Sequence, residues 1–345
     1  MFKLLLKKVT EQMSKIKTAI IGMGKMGKIR YNAMIRHGGY EIHSVCDLTK
    51  DGLERYSKKV FDDWRECIIQ PEVEAVCVCT FNAYIKDIVC YALNNNKHVF
   101  SEKPPGRSLN ETVLMKEAFK KNNRILKFGF NHRYHGSIIE AKALIDSGLI
   151  GDIVCARGVY GKAGSLGFDQ EWRNDISLSG GGILIDQGIH MLDLLCYFVG
   201  DFKNIKSNVN QLVWKEMNTE DSVFAILETS EGKVASLHSS AVQWKHKFDL
   251  DLICSNGYIA LNGILSSTQS YGEERMTYYR KDLATRSGKL GRPLEHNFTF
   301  DYDDSWDMEM KEFYDAINGC GVIIHGTIDQ AVYVMSLVEK IYGLA

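Results

Sequence analysis

The sequence predicts two folds in tandem, an α/β fold on a parallel, doubly wound sheet and an α+β fold on an antiparallel sheet. Three observations carry this. Over 16–130, short β-branched runs alternate with helical patterns, the order that builds a parallel sheet with helices on its faces. From Asn131 the order changes to strand-like runs joined by short turns such as Ser230-Glu231-Gly232 and Ser255-Asn256-Gly257. Within that second region lies a strongly apolar helical pattern, 183–198, able to cover one face of a sheet. A chain of 345 residues is also long enough for two cores.

The elements follow in order. Residues 1–15 are expected to form an extension; Leu4–Leu6 between lysines is too short an apolar core for a signal peptide or a membrane span, and no later run reads as long enough to cross a membrane. The first domain, 16–130, has strands predicted at 16–21, 41–46, 73–80, 98–101 and 125–130, with helices at 28–36, 83–94 and 109–121. The second domain, 131–345, has a helix at 138–147 and strands at 152–160, 205–214, 222–229, 234–241, 248–254 and 258–262. Residues 263–300 are polar and glycine-rich and read as a long surface excursion; helices at 304–317 and 327–342 end the chain.

Composition narrows the function. With 45% hydrophobic and 25% charged residues the chain is an ordinary globular protein. A net charge of −1 supplies no basic field, so neither nucleic acid nor an acidic membrane is an expected partner. Nine cysteines with no CxxC pair point to a reducing cytoplasm. Cys77 and Cys79 share one sheet face and read as core packing.

The first predicted strand runs into Gly22-Met23-Gly24-Lys25-Met26-Gly27, a helix follows, and the next strand closes on Asp47, twenty residues beyond Gly27. Strand, glycine turn, helix, strand and acid in that order form a dinucleotide-binding fingerprint. Gly22 permits the tight turn, Gly24 lets backbone approach a pyrophosphate, and Gly27 lets helix and strand pack closely. The helix start then offers N–H groups to phosphate. A carboxylate at Asp47 suits two ribose hydroxyls and repels a 2′-phosphate, which favours NAD, while Lys50 nearby leaves NADP open. Lys28 and Arg30 either add charge near the pyrophosphate or are solvated helix residues.

Two further stretches carry chemistry. Ser179 is expected to cap the apolar helix, in which Asp186, His190 and Asp193 fall on one face by their spacing. Unpaired polar burial costs roughly 1–3 kcal/mol, so such a row needs a reason beyond packing. Glu102-Lys103-Pro104 stands where a parallel strand ends, the edge at which ligands of open α/β sheets sit.

Taken together, Gly22-x-Gly24-x-x-Gly27, Asp47, Glu102-Lys103-Pro104, Gly129-Phe130-Asn131-x-Arg133 and Ser179-Gly-Gly-Gly through Asp186-x-Gly188-x-His190-x-x-Asp193 resemble the Gfo/Idh/MocA oxidoreductases. The resemblance implies a Rossmann domain, then a domain with a large, mostly antiparallel open sheet covered by helices on one face. It implies catalytic roles for Lys103, Asp186 and His190. His190 serves as acid/base, Asp186 orients it or bonds the substrate hydroxyl, and Lys103 polarises the developing alkoxide or carbonyl. Thr80, Asn82, Glu102 and Lys103 join the glycine loop as cofactor contacts. Phe81 and Ile85 depart from the family's usual proline and histidine there.

The substrate pocket is expected beside His190, with Asn131, Arg133, Tyr160, Lys162, Trp172, Arg173 and His246 as lining candidates. That set suits a sugar, cyclitol or nucleotide-sugar, with surface-polysaccharide sugar metabolism as one setting. A homodimer or homotetramer through the second sheet is the expected assembly, and no metal is expected. Two rival readings are a metal-dependent hydrolase using Asp186, His190 and Asp193, and a non-catalytic NAD-binding regulatory protein of the same fold.

Overall fold

The computed structural model describes residues 15–281 and 293–344, so the extension read at 1–15 lies, but for Lys15, outside the described residues. The chain forms two compact units. The first gathers residues up to Gly106, Asn110–Gly129 and Trp306–Val332; the second gathers Arg107–Leu109, Phe130–Ser305 and the stretch from Tyr333 onward.

The first unit is a six-stranded parallel sheet in the order β3-β2-β1-β4-β5-β6. Its strands are β1 (Ile16–Ile21), β2 (Tyr40–Cys46), β3 (Val60–Phe61), β4 (Ala75–Val78), β5 (His98–Glu102) and β6 (Leu126–Gly129). The strand β3 has only two residues, too few to give a periodic signal, and sequence reading does not detect it. Strand order reverses between β1 and β4, which opens the crevice where doubly wound sheets hold their ligands.

Ile20, Val45, Ala75, Cys77 and Phe100 form the core together with Met310 and Phe313 of helix Ser305–Ile317. A cut at residue 130 assigns that helix to the second domain, yet it packs in the first unit. Its apolar face meets the core, and Tyr40 donates its hydroxyl to the Met310 carbonyl at 2.6 Å. Charge fixes it further. Arg30 Nη1 lies 2.7 Å from Glu309, and Lys127 Nζ lies 3.2 Å from Glu312.

The second unit is an eight-stranded sheet in the order β14-β13-β12-β11-β7-β10-β9-β8. The strands are β7 (Ile153–Gly161), β8 (Phe202–Asn210), β9 (Ser222–Thr229), β10 (Val234–Ser240), β11 (Lys247–Cys254), β12 (Gly257–Asn262), β13 (Glu274–Arg280) and β14 (His296–Phe300). Every neighbouring pair is antiparallel except β7 and β10. Burial alternates along β9 and β11, so one face is core and the other is not. Helix Ile189–Val199 covers the inner face, and Gly158 makes room for it, since a Cβ there would meet Met191 Cγ at 2.6 Å.

Several expectations change here. The 263–300 excursion contains β13 and β14, whose weakly buried, polar-rich residues hide the strand period. The strand expected at 205–214 ends at Asn210. Beyond it the Asp221 carboxylate accepts from the N–H groups of Leu212, Val213 and Trp214 at 2.7–2.9 Å and turns the chain. Ser179 does not cap the long helix; it closes the short helix Ile176–Ser179, which Asp175 caps. The cap is remote, with Glu220 accepting from Gly182 N–H at 2.8 Å and from Leu184 N–H at 2.9 Å.

Counted through, Ile176–Val199 does reach the length and apolarity of a membrane crossing. Its most apolar window is 78% buried inside the protein, as a core helix is.

Candidate functional site

The glycine loop begins as β1 ends. Gly22 adopts φ +91°, and a Cβ on it would lie 2.5 Å from the Cys79 carbonyl at the end of β4, so the turn admits only glycine. A Cβ on Gly27 would sit 2.0 Å from the Gly22 carbonyl. Gly24 differs, for a Cβ there meets nothing within 4 Å among the described residues. Helix Lys25–His37 starts immediately afterwards with no side-chain cap and no acid in its first turn. An open approach to uncapped N–H groups fits a pyrophosphate. Asp47 Oδ2 accepts from Met23 N–H at 2.7 Å, which pins the loop to the end of β2. These residues fit a bound dinucleotide.

The flanks of the loop sort themselves by burial. Met23 is buried in the core and contributes backbone, while Lys25 and Lys28 are exposed. Arg30 is neither solvated nor near the loop's open side. It is fully buried, its guanidinium 4.2 Å from the Phe100 ring and 4.6 Å from the Trp306 ring. Its Nε donates to Glu102 Oε1 at 2.6 Å, so Glu102, expected as a cofactor contact, has its carboxylate turned to Arg30 inside the core. Lys103 follows, half-buried, and is joined to Pro104 by a cis peptide bond. Thr80 lies beside the Gly22 turn and buried Asn82 begins helix Asn82–Asn94, whereas Ile85 is packed inside.

The second unit carries the Asp/His helix. It opens with a π-turn, Leu184–Gly188, before Ile189–Val199 continues as α-helix. Each of the three polar side chains has a different partner. Asp186 lies between two cations: Lys162 Nζ donates to Oδ2 at 3.0 Å, and Arg173 Nε stands 3.3 Å from Oδ1. Asp193 pairs with Arg133. The His190 ring stacks on His132, centroids 3.8 Å apart and planes 16° from parallel.

Around Asp186 the structure gathers most of the predicted lining. Lys162 continues from β7, Arg173 lies over the Trp172 ring at 4.6 Å, and Tyr160 sits buried at the end of β7. Burial, with Tyr271 and the Asp186 charge nearby, holds the Tyr160 phenol well above its ordinary range. His246 packs edge-on to Tyr271 at 4.8 Å, and burial together with Lys162 lowers its pKa.

Arg133 does not line this cluster. Its guanidinium is buried in a two-pronged bond with Asp193, and Tyr197 covers it at 4.8 Å. Asn131 is also internal, donating to Ser305 Oγ at 3.1 Å and facing His132 with its carbonyl oxygen. Sequence reading passes over His132 and Tyr271. The first is the unassigned position of Asn131-x-Arg133, and the second lies in the stretch read as a surface excursion. An Asn-His-Arg triplet directly after β6, where the second unit begins, is the signal that was available.

This architecture, a glycine-loop Rossmann unit followed by a mostly antiparallel sheet, is that of a dinucleotide-dependent oxidoreductase. The chain belongs to the GFO/IDH/MocA family: residues 16–130 match its oxidoreductase NAD-binding Rossmann fold, and residues 138–260 its C-terminal domain. It is 24% identical over 314 residues to inositol 2-dehydrogenase of Salmonella typhimurium, covering 88% of this chain and 86% of that one. It is 27% identical over 251 residues to D-glucoside 3-dehydrogenase of Escherichia coli, covering 66% and 70%. The fold superposes on levoglucosan dehydrogenase in complex with NADH with a TM-score of 0.81 at 20% identity, covering 96% of this chain and 97% of that one.

Proposed function

We propose that the protein is a nicotinamide-dependent dehydrogenase acting on a secondary hydroxyl, or the matching ketone, of a sugar, cyclitol or nucleotide-sugar. The observation that carries this reading is Asp186 held between Lys162 and Arg173, four residues before His190, in a chain with an intact dinucleotide loop. Gly22–Gly27 and Asp47 hold the cofactor, and the acid at Asp47 favours NAD over NADP. The bound nicotinamide supplies hydride acceptance and donation.

The chain's own residues manage the proton and the charge. His190, an imidazole able to accept and to donate a proton, takes the hydroxyl proton in oxidation and returns it in reduction. Asp186 orients the substrate hydroxyl and keeps Lys162 and Arg173 in place as donors to neighbouring hydroxyls. Lys103 offsets negative charge on the reacting oxygen. Trp172 provides a flat apolar face of the kind that sugar rings stack on.

All nine cysteines are free thiols, in keeping with a reducing cytoplasmic setting. Phe224 and Ile226 on the outer face of the second sheet are about half exposed, which supports a homodimer or homotetramer through that face.

The test is nicotinamide absorbance with NAD and NADP against inositols, hexoses, hexose phosphates and sugar nucleotides. Turnover that His190→Ala abolishes while NADH still binds supports the proposal. NADH binding with no turnover anywhere in the panel favours the non-catalytic NAD-binding regulator instead.

A further inference from the structure

We infer that His132 is a positioning residue for His190, a statement that rests on reading His190 as the acid/base. The argument starts from how His132 is held. It lies in the short turn Asn131–Tyr134, is buried, and has a partner at each ring nitrogen. Nδ1 is 3.1 Å from Asn131 Oδ1, and Nε2 is 2.9 Å from the Tyr160 hydroxyl. Asn131 gives its amide N–H to Ser305 Oγ, which fixes its carbonyl oxygen toward the histidine. With the Asn131 carbonyl oxygen turned to it, His132 donates through Nδ1, while Nε2 shares a hydrogen bond with the Tyr160 hydroxyl. With both nitrogens engaged, the ring cannot flip without breaking both bonds.

His190 lies flat on that anchored ring. Stacking over a fixed aromatic face restricts the rotation of the His190 imidazole and keeps water from that side. The remaining titratable groups around the pair are held in pairs of their own. Tyr160 bonds to Tyr271, Asp186 lies against Lys162 and Arg173, and His135, 5.5 Å from His132, is bonded to Glu274 at 2.8 Å. The Asn131–His132–Tyr160 chain is therefore a rigid backing that holds one oriented imidazole.

The test compares wild type with His132→Ala and His132→Phe, the second of which keeps a flat face without the hydrogen bonds. With the substrate class found above, His132→Ala is expected to lower kcat on the order of tenfold, with KM and NADH affinity changed less than about threefold. The pH–rate limb set by His190 should move, and His132→Phe should recover most of the loss. A kcat and pH profile unchanged in His132→Ala, or equal losses in both variants, overturns the inference. A melting temperature measured alongside identifies loss by unfolding.

Nitrogen-15 and proton spectra of the histidine rings, assigned with His190→Gln, supply a readout independent of turnover. Ring-current shifts at His190 that disappear in His132→Ala and persist in His132→Phe support the stacked support; resonances indifferent to both changes overturn it. A wild type that binds NADH and turns over no polyol defeats the functional reading, and the spectra then decide the positioning claim alone.

Discussion

Arg133 grips Asp193 with two hydrogen bonds, Nε to Oδ2 at 2.7 Å and Nη2 to Oδ1 at 2.6 Å, and both side chains are at least nine-tenths buried. This pair ties the turn after β6 to the middle of the Asp/His helix. Cutting it from one side leaves a buried charge without a partner, which costs about 3–5 kcal/mol. Arg133→Met or Asp193→Leu alone should therefore lower the urea midpoint sharply, whereas the double replacement should recover most of the stability. In the surviving fraction of Arg133→Met the substrate KM should stay near the wild-type value. A large KM rise with unchanged stability would return Arg133 to the substrate.

The three glycines of the loop make separable predictions. Alanine at Gly27 places a methyl 2.0 Å from the Gly22 carbonyl, so the helix must shift and stability and NADH binding should fall together. Alanine at Gly24 meets no protein atom within 4 Å among the described residues, so the fold should hold while NADH affinity drops, roughly tenfold or more. Calorimetry for binding and thermal melts for folding separate the two. Equal effects on both quantities in both variants would show that Gly24 is structural.

Glu309 gives the first unit a pH-dependent stability. Burial is the leading cause that raises its carboxyl from 4.5 to about 7, against the pull of Arg30 and Lys127. Between those two values the folded state holds a proton that the unfolded chain has released. Stability from this group is full below about pH 4.5 and is lost as pH rises toward 7, a change on the order of 3 kcal/mol. Glu309→Gln has no proton to lose. Its urea midpoint relative to wild type should rise as pH climbs through that window, and parallel curves would refute the assignment.

What the sequence made legible was local. The glycine turn, Asp47 and most strand and helix positions follow from φ requirements and apolar period, which neighbours along the chain determine. What stayed hidden depends on partners far away in sequence. Glu220 caps the backbone at Gly182 and Leu184, Asp221 bends the chain after β8, and Met310 and Phe313 return to the first core. Arg30 reads as a pyrophosphate-side charge or a solvated helix residue until Glu102 and Glu309 are placed against it. The spacing of Asp186, His190 and Asp193 pointed to one polar row, but their separate partners and the π-turn that opens the helix are not encoded in a simple period of polar residues. His132 shows the same limit, since a single histidine becomes informative only once its two hydrogen-bond partners and its stacking partner are known.

Asp186→Asn isolates the charge at the centre of the proposed substrate site. Asparagine keeps the size and one acceptor oxygen, so the Lys162 contact can persist and the fold should be little affected. The negative charge that offsets Lys162 and Arg173 is removed, and two cations then face the substrate with no counter-charge between them. For a neutral polyol, kcat should fall about 100-fold or more, because the donors are no longer held in order and the hydroxyl loses its carboxylate. Inorganic phosphate should become a better inhibitor of the variant, on the order of several-fold at low salt, and the gain should fade as salt screens it. His246, whose pKa burial and then Lys162 lower, should gain no relief from the change, since it stays buried and the lysine stays charged. Steady-state kinetics across an ionic-strength series reads all of this. Unchanged turnover in Asp186→Asn would move the reaction away from this carboxylate.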